Sequence, residues 1–173
     1  MRLHPTPLSW LVCASLVACQ GLPPPAGVTV QLEPRSGSQV RGSVRLTPHG
    51  DGLWVQAEIE GLQALAEHGF HVHERGDCSA PDASSAGGHF NPHGAPHGQV
   101  GGPGLAHHAG DMPNLRADSA GRAHYQTTLA GLTLDGPNGV RGRSVVVHRD
   151  ADDYRTQPAG NSGPRIACAV IAP

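Results

Sequence analysis

Residues 53–59 read Leu-Trp-Val-Gln-Ala-Glu-Ile, and every second side chain in this stretch is aliphatic. Successive side chains of a β-strand point to opposite faces, so this period of two predicts a strand with one face on a core. No stretch has a convincing helical pattern, and residues 62–67 would form at most a turn or two. The same period of two recurs in Val28, Val30, Leu32; Val40, Val44, Leu46; Tyr125, Thr127, Leu129; Val145, Val147; and Ile166, Cys168, Val170. The sequence therefore predicts an all-β fold, an antiparallel sandwich or barrel.

Glycine and proline are frequent, and they separate the predicted strands. The chain has 173 residues, of which 24 are glycine and 16 proline, while only 15% are charged. A coiled coil or a long-helix bundle would instead be rich in alanine, glutamate, lysine and leucine. The length suits one domain. The net charge of −2 and the absence of lysine exclude a nucleic-acid binder, because such proteins need a basic face.

Two long stretches, residues 77–115 and 150–164, interrupt the strand pattern. Neither stretch alternates apolar and polar side chains. Loops of this length in a compact domain are usually functional. We therefore expect two long functional loops on the sandwich or barrel.

The N-terminus has the features of an export signal. A positive start is followed by the apolar stretch Leu8–Ala18, which is shorter than the about 20 residues needed to span a bilayer. Residues 1–18 are therefore predicted to be a signal peptide. Leu16-Val17-Ala18-Cys19 looks like a bacterial lipobox, in which Cys19 is lipidated after cleavage; the alternative is an ordinary secretory signal cut elsewhere. Residues 19–27 would form a proline-rich tether before the domain, residues 28–173.

Four cysteines fit an exported chain. Cys13 would leave with the signal peptide and Cys19 would carry the lipid, the only predicted contact with a membrane. Cys78 and Cys168 remain. In an oxidising compartment such as the periplasm or cell envelope, they most simply form one disulfide; two buried free thiols are the alternative.

Histidine is the residue type that points to chemistry, with 12 copies. His71 and His73 are two positions apart on a predicted strand, so their side chains share a face about 6.6 Å apart along the axis. His148 ends the apolar run of residues 145–147 and can join them. Imidazole ligands without a thiolate suit copper(II) or zinc.

A second histidine set lies in the first long loop. His89, His97, His108 and Asp111 offer three imidazoles and a carboxylate, which match a closed tetrahedral zinc site. His108 is preferred to its neighbour His107 because it stands three positions before Asp111. The remaining histidines of the domain are not expected to bind metal: His68 as a structural residue at the barrel end, His93 as a loop surface residue, and His49 and His124 in or near turns.

Several motifs together resemble the copper/zinc superoxide dismutase family, in its exported bacterial form. They occur in family order from about residue 28 to the C-terminus. The matching stretches are Gly-Phe-His-Val-His at 69–73, Gly-Asp-Cys at 76–78, Gly-Gly-His-Phe-Asn-Pro at 87–92, His-Ala-Gly-Asp at 108–111, Gly-Arg-Ser-Val-Val-Val-His at 142–148, and Gly-Asn-Ser-Gly-Pro-Arg-Ile-Ala-Cys at 160–168.

The resemblance implies an eight-stranded Greek-key β-barrel or sandwich and a role for each matching residue. Copper would be bound by His71, His73, His89 and His148, and zinc by His89, His97, His108 and Asp111. His89 would then bridge the two metals as an imidazolate. Cys78 and Cys168 would form the family disulfide, Arg165 would guide the anion beside the copper, and Asp152 would link a copper histidine to a zinc histidine.

The implied activity is an antioxidant one, the conversion of superoxide to oxygen and hydrogen peroxide. Copper would cycle between Cu(II) and Cu(I), and His89 would take up and return a proton. The alternative is a copper-binding or copper-delivery module without turnover; a purely zinc-stapled structural lipoprotein would leave His71, His73 and His148 unexplained. All four copper histidines and Arg165 are present, which favours the enzyme.

The chain also departs from the family pattern. The second long loop is short beside eukaryotic members and holds no lysine, and Ala159 stands where those members often have threonine. Details of anion steering at the rim are therefore not carried over. Dimer contacts are not carried over either, so a monomer and a homodimer both remain open.

Overall fold

A computed structural model of the chain describes Met1, residues 26–102 and residues 106–173. Apart from Met1, the predicted signal peptide lies outside the described residues, as do Cys19 and most of the predicted tether. No helix in the described ranges is long and apolar enough to cross a membrane.

Strands dominate the described part of the chain. Its only helix is one short 3₁₀ helix at Ser84–Ala86. The strands are β1 (Val28–Pro34), β2 (Arg41–His49), β3 (Gly52–Glu60), β4 (Glu67–His68), β5 (Phe70–His73), β6 (Leu115–Arg116), β7 (Ala123–Ala130), β8 (Arg143–His148) and β9 (Arg165–Ile171). The prediction of an all-β fold is confirmed.

Seven strands form one curled antiparallel sheet in the order β5-β8-β9-β1-β2-β3-β7. β1 bridges the two halves of this sheet, because Val28–Leu32 pairs with β2 while Glu33 and Pro34 pair with β9. The remaining strands, β4 and β6, pair only with each other. β4 and β5 are separated by Gly69 alone, so counting them as one strand that changes partner gives the expected eight.

The inner face of the sheet carries the core. Leu53, Val55, Ala57 and Ile59 are at most 3% exposed, which confirms the alternation that predicted β3. Phe70 of β5 meets Tyr125 of β7 edge-on, with 5.3 Å between ring centroids. The core therefore joins the two ends of the curled sheet.

The sequence predicted the core-facing side of β9 wrongly for two of three residues. Ile166 lies in the main core, but Cys168 packs in a separate cluster and Val170 is 40% exposed. The other core residues of β9 are Ala167, Ala169 and Ile171. The reason is that the outer face of β9 is partly covered by the first long loop, so apolar residues occur on both faces.

The same outer face carries the histidines of β5 and β8. Phe70 and Val72 point into the main core, so His71 and His73 point outward. Two long connections follow β5 and β8, and their described parts, residues 74–102, 106–114 and 149–164, pack over this side of the sheet. The histidine sites are therefore enclosed between the sheet wall and the two loops rather than inside the core.

Candidate metal centre

Three histidines come from the sheet wall. His71 and His73 are fully buried on β5, and His148 is the last residue of the neighbouring β8. The Nε2 atoms of His73 and His148 are 3.3 Å apart. The structure therefore brings together the three side chains that the sequence placed on one face.

The first long loop brings further ligands to the edge of β5. Phe90 donates its amide to the Val72 carbonyl, and Val72 donates to the carbonyl of Gly110. These contacts place His89 beside His73 and Asp111 beside His71 as bridge partners. A side chain at Gly110 would press on the Val72 carbonyl and on Phe90, so this close approach requires glycine.

All seven predicted ligand residues are buried and lie in two groups. Within each group, one ligand atom from every residue lies within 4.8 Å of the others. His89 belongs to both groups. The first group is His71, His73, His89 and His148, and the second is His89, His97, His108 and Asp111.

Fixed hydrogen bonds determine which ring nitrogens face the first group. His73 Nδ1 donates to the Gly87 carbonyl at 3.0 Å, and His148 Nδ1 donates to the Gly163 carbonyl at 3.2 Å. Their Nε2 lone pairs therefore face each other across 3.3 Å. Two facing lone pairs repel unless a cation lies between them, so this arrangement fits a metal ion.

The other two histidines complete that set of nitrogens. His71 Nε2 donates to Asp152 Oδ2 at 2.8 Å, which leaves Nδ1 as its free nitrogen. His71 Nδ1 and His89 Nε2 are buried and have no hydrogen-bond partner within the described residues. The first group thus offers an all-imidazole set, which suits copper(II).

The second group surrounds the carboxylate of Asp111. The Nδ1 atoms of His89, His97 and His108 lie 2.8, 3.0 and 3.4 Å from its oxygens. For His97 and His108 these approaches lack hydrogen-bond geometry, although both nitrogens are buried. Three imidazole nitrogens and one carboxylate oxygen fit the tetrahedral ligand set of a structural zinc ion.

Burial lowers the pKa of three histidines of the first group, His73, His148 and His89, and so keeps them neutral. Desolvation lowers the pKa of His73 and of His148 well below the ordinary value, and neighbouring histidines lower both further. For His89, burial lowers the pKa to about 4 despite the Asp111 carboxylate. Neutral imidazoles keep the lone pair that a metal ion needs.

In the second group, by contrast, the pKa of one histidine, His97, is raised. Burial disfavours the charged form of His97, but the carboxylates of Asp111 and Asp152 outweigh it and raise its pKa to about 9. Burial likewise opposes ionisation of both aspartates, but close histidine nitrogens outweigh it and hold the pKa values of Asp111 and Asp152 well below the usual range. Two negative charges therefore adjoin this group.

Asp152 connects the two groups. Besides its bond to His71, it accepts a hydrogen bond at Oδ1 from His97 Nε2 at 2.9 Å. Its main chain is held by Asn114, whose side chain accepts from the Asp152 amide and donates to the Asp152 carbonyl. The sequence analysis did not predict a role for Asn114, because no residue pattern indicates that a side chain will bind main-chain atoms 38 positions away.

Arg165 lies at the mouth of the first group. It lines a cleft of about 330 Å³ together with His148 and part of the second long loop. Its guanidinium donates to the carbonyls of Ala83 and Gly87 at 2.7 and 2.6 Å. Arg165 carries the only formal charge among the described residues that line this cleft.

Cys78 and Cys168 form a disulfide, with 5.9 Å between their Cα atoms. It joins the first long loop to β9 and packs with Ala83, Ala86 and Val146. The predicted pairing is confirmed, and the alternative of two free thiols is wrong.

The remaining histidines of the domain belong to neither group. His107 bonds to the His108 carbonyl, so His108 is the member of the adjacent pair that faces Asp111. His68 is buried and donates to the His148 carbonyl at 3.0 Å, as a structural residue would. His93 is exposed, and His124 contacts the Glu58 carboxylate at the surface.

Comparisons with known proteins agree with this geometry. Residues 40–171 match the model of the family described as copper/zinc superoxide dismutase. The chain is 42% identical over 170 residues to superoxide dismutase [Cu-Zn] of Deinococcus radiodurans, covering 91% of this chain and 90% of the relative. It is 41% identical over 140 residues to superoxide dismutase [Cu-Zn] 2 of Aquifex aeolicus, covering 77% and 80%. The crystal structure of a SOD-like protein from Bacillus subtilis matches with a TM-score of 0.76 at 37% identity, covering 84% of this chain and 99% of that one.

Proposed function

The chain belongs to the copper/zinc superoxide dismutase family, and we propose that its two histidine groups form one two-metal centre that shares His89. Its activity is the conversion of superoxide to oxygen and hydrogen peroxide, with copper and zinc as cofactors. The proposal concerns which residues hold each metal and what each one does.

The first group is the copper site in this proposal. Its support is the set of four buried ring nitrogens described above. Two of them, the Nε2 atoms of His73 and His148, lie 3.3 Å apart. A copper ion held there would supply the one-electron chemistry that oxidises one superoxide and reduces another. This nitrogen set is the single observation that carries the proposal.

His89 moves the proton. Reduction of superoxide to hydrogen peroxide consumes two protons, and a buried site needs a group that delivers them. His89 presents Nε2 to the first group and Nδ1 to Asp111. In our proposal His89 takes up one of the two protons at Nε2 and gives it to the reduced substrate, and the second proton comes from solvent.

The second group is the zinc site, and its role is to hold His89. The ion would be held by His89 together with His97, His108 and Asp111, and this set would fix the orientation of the His89 ring. Asp152 holds the outer nitrogens of His71 and His97, so it orients one ring of each site. Such outer partners fix the tautomer and raise the basicity of the ligand.

Arg165 attracts and orients the anion. The net charge of −2 repels the superoxide anion, so a local positive potential is needed to attract it to the site. Arg165 supplies it beside His148 in the cleft, with its guanidinium held by two carbonyls. A focused field of this kind raises association rates well above those of a neutral site.

We also propose export and lipid anchoring. The support is the sequence of residues 1–19 together with a disulfide, which persists in oxidising compartments. The test is the mass of the N-terminal peptide of the mature protein: a lipid-modified Cys19 is expected, and an unmodified N-terminus at another position would contradict the anchor.

The experiment for the enzymatic proposal uses the purified mature chain loaded with both metals. We expect one copper and one zinc per chain and removal of superoxide in large excess over copper. A copper-delivery module would consume superoxide only up to its copper content. Stoichiometric decay that then stops would contradict the enzyme.

A further inference from the structure

The side chain of Gln157 holds the main chain of His97 at two points. Gln157 Oε1 accepts a hydrogen bond from the His97 amide, and Gln157 Nε2 donates to the His97 carbonyl, both at 2.9 Å. A carboxamide offers an acceptor and a donor side by side, which match the amide and carbonyl of one residue. The contact joins the two long loops across 60 positions of sequence.

His97 lies where the sheet gives it no support. It follows Pro96 and precedes Gly98 in an irregular part of the first long loop. Within the described ranges, its amide and carbonyl have no hydrogen-bond partner other than Gln157. The direction of its ring therefore depends on contacts from elsewhere in the chain.

The second long loop supplies two of those contacts. Asp152 accepts a hydrogen bond from His97 Nε2, and Gln157 forms hydrogen bonds with the His97 main chain. Gln157 also lines the cleft that contains Arg165, so it stands between the cleft wall and the second histidine group. If Asp152 alone held His97, at Nε2, the His97 backbone could shift and the ring would turn about that nitrogen. Fixing the main chain of His97 as well removes this freedom.

We propose that Gln157 is a positioning residue that fixes the backbone of His97 so that Nδ1 faces the zinc ion. This inference rests on the zinc set of the proposed function. Partners that orient metal ligands typically change metal affinity by 10–100-fold when removed. Gln157 is exposed and acts through the main chain, so we expect the lower end of that range, about tenfold.

The test compares three variants of the full mature chain loaded with copper and zinc. Gln157→Ala removes both hydrogen bonds, and Gln157→Glu keeps an acceptor for the amide but loses the donor to the carbonyl. Gln99→Ala is the matched control, because Gln99 lies in the same loop as His97 and no hydrogen bond of its side chain occurs in the described residues. Zinc affinity is measured by competition with a chromogenic chelator, and the visible spectrum of cobalt(II) in the zinc site reports its geometry.

We expect zinc to bind about tenfold more weakly in Gln157→Ala and with intermediate strength in Gln157→Glu. The cobalt spectrum should change in Gln157→Ala, and Gln99→Ala should match the wild type in both measurements. Equal zinc affinity and equal cobalt spectra for Gln157→Ala and Gln99→Ala would overturn the positioning role alone. A wild-type chain that binds no zinc would overturn the proposed zinc set and this inference together.

Discussion

Arg165 and His73 share one carbonyl oxygen. The carbonyl of Gly87 accepts a hydrogen bond from Arg165 Nη2 at 2.6 Å and another from His73 Nδ1 at 3.0 Å. The charge proposed to attract the anion and an imidazole proposed to bind copper are therefore fixed by the same atom. This contact sets both the position of the positive charge and the direction of the His73 lone pair.

Replacing Arg165 by isoleucine should slow superoxide removal by roughly tenfold, because the local field that concentrates the anion is lost. The dependence of the rate on salt should weaken as well, since screening then has less attraction to remove. Both effects are measured as second-order rate constants at low and high ionic strength. Arg165→Lys keeps the charge without the paired hydrogen bonds and should lie between; an unchanged rate in Arg165→Ile would exclude the guiding role.

Replacing Asp111 by alanine should remove zinc while copper largely stays. Asp111 is the only carboxylate of the second group and does not belong to the first. The loss of one of four zinc ligands also removes the negative charge that favours the cation. Copper and zinc per chain are measured after dialysis, and zinc retained at the wild-type level would show that Asp111 is not a ligand.

Replacing Asp152 by asparagine should weaken metal binding by about 10–100-fold. An amide keeps one acceptor oxygen and turns its NH₂ toward a histidine N–H, so one of the two bonds to His71 and His97 becomes a repulsion. The measurement is competition with chelators for each metal. Asp153→Asn is the control, because the exposed Asp153 bonds only within its own loop; equal affinities in the two variants would contradict the linking role.

Replacing Gly160 by alanine should weaken zinc binding, whereas Gly131→Ala should not. Both glycines have positive φ, of 66° and 73°, so the backbone strain is similar. A Cβ at Gly160 would overlap the Asp152 carboxylate and lie 2.7 Å from His97 Nε2, while one at Gly131 meets nothing within 4 Å. Zinc affinity and thermal stability of both variants are compared; weaker zinc binding in Gly131→Ala to the same degree would refute the steric explanation.

Reducing the disulfide should destabilise the protein. Cys78 and Cys168 enclose a long loop, with a sequence separation of 90. The chain-entropy model gives about 4.6 kcal/mol for a loop of this length. Urea unfolding of the oxidised and reduced metal-free protein measures the difference, and coincident unfolding curves would show that the bond adds no stability.

The sequence predicted part of which side chains come together, because some of the determining patterns are local. His71 and His73 share a face by the period of a strand, and His108 and Asp111 are close in sequence. The residue pattern also placed His89 with His108 and Asp111, but only the resemblance to a family placed it with His71 and His73. In the structure, that contact depends on main-chain hydrogen bonds between Phe90, Val72 and Gly110.

Other features could not be predicted from local pattern. The phase of β9 depends on the disulfide loop that covers its outer face, so Cys168 and Val170 mimic a core-facing set. Asn114 and Gln157 act on main-chain atoms 38 and 60 positions away, and nothing in the residues around them marks such contacts. Their roles depend on how the two long loops pack.

The most direct test of the central claim is magnetic. In a chain with copper(II) in the first group and cobalt(II) in the second, a shared His89 ring couples the unpaired electrons of the two ions. We expect the electron paramagnetic resonance signal of copper to be lost on cobalt binding. A copper signal unchanged by stoichiometric cobalt would contradict a single centre joined through His89.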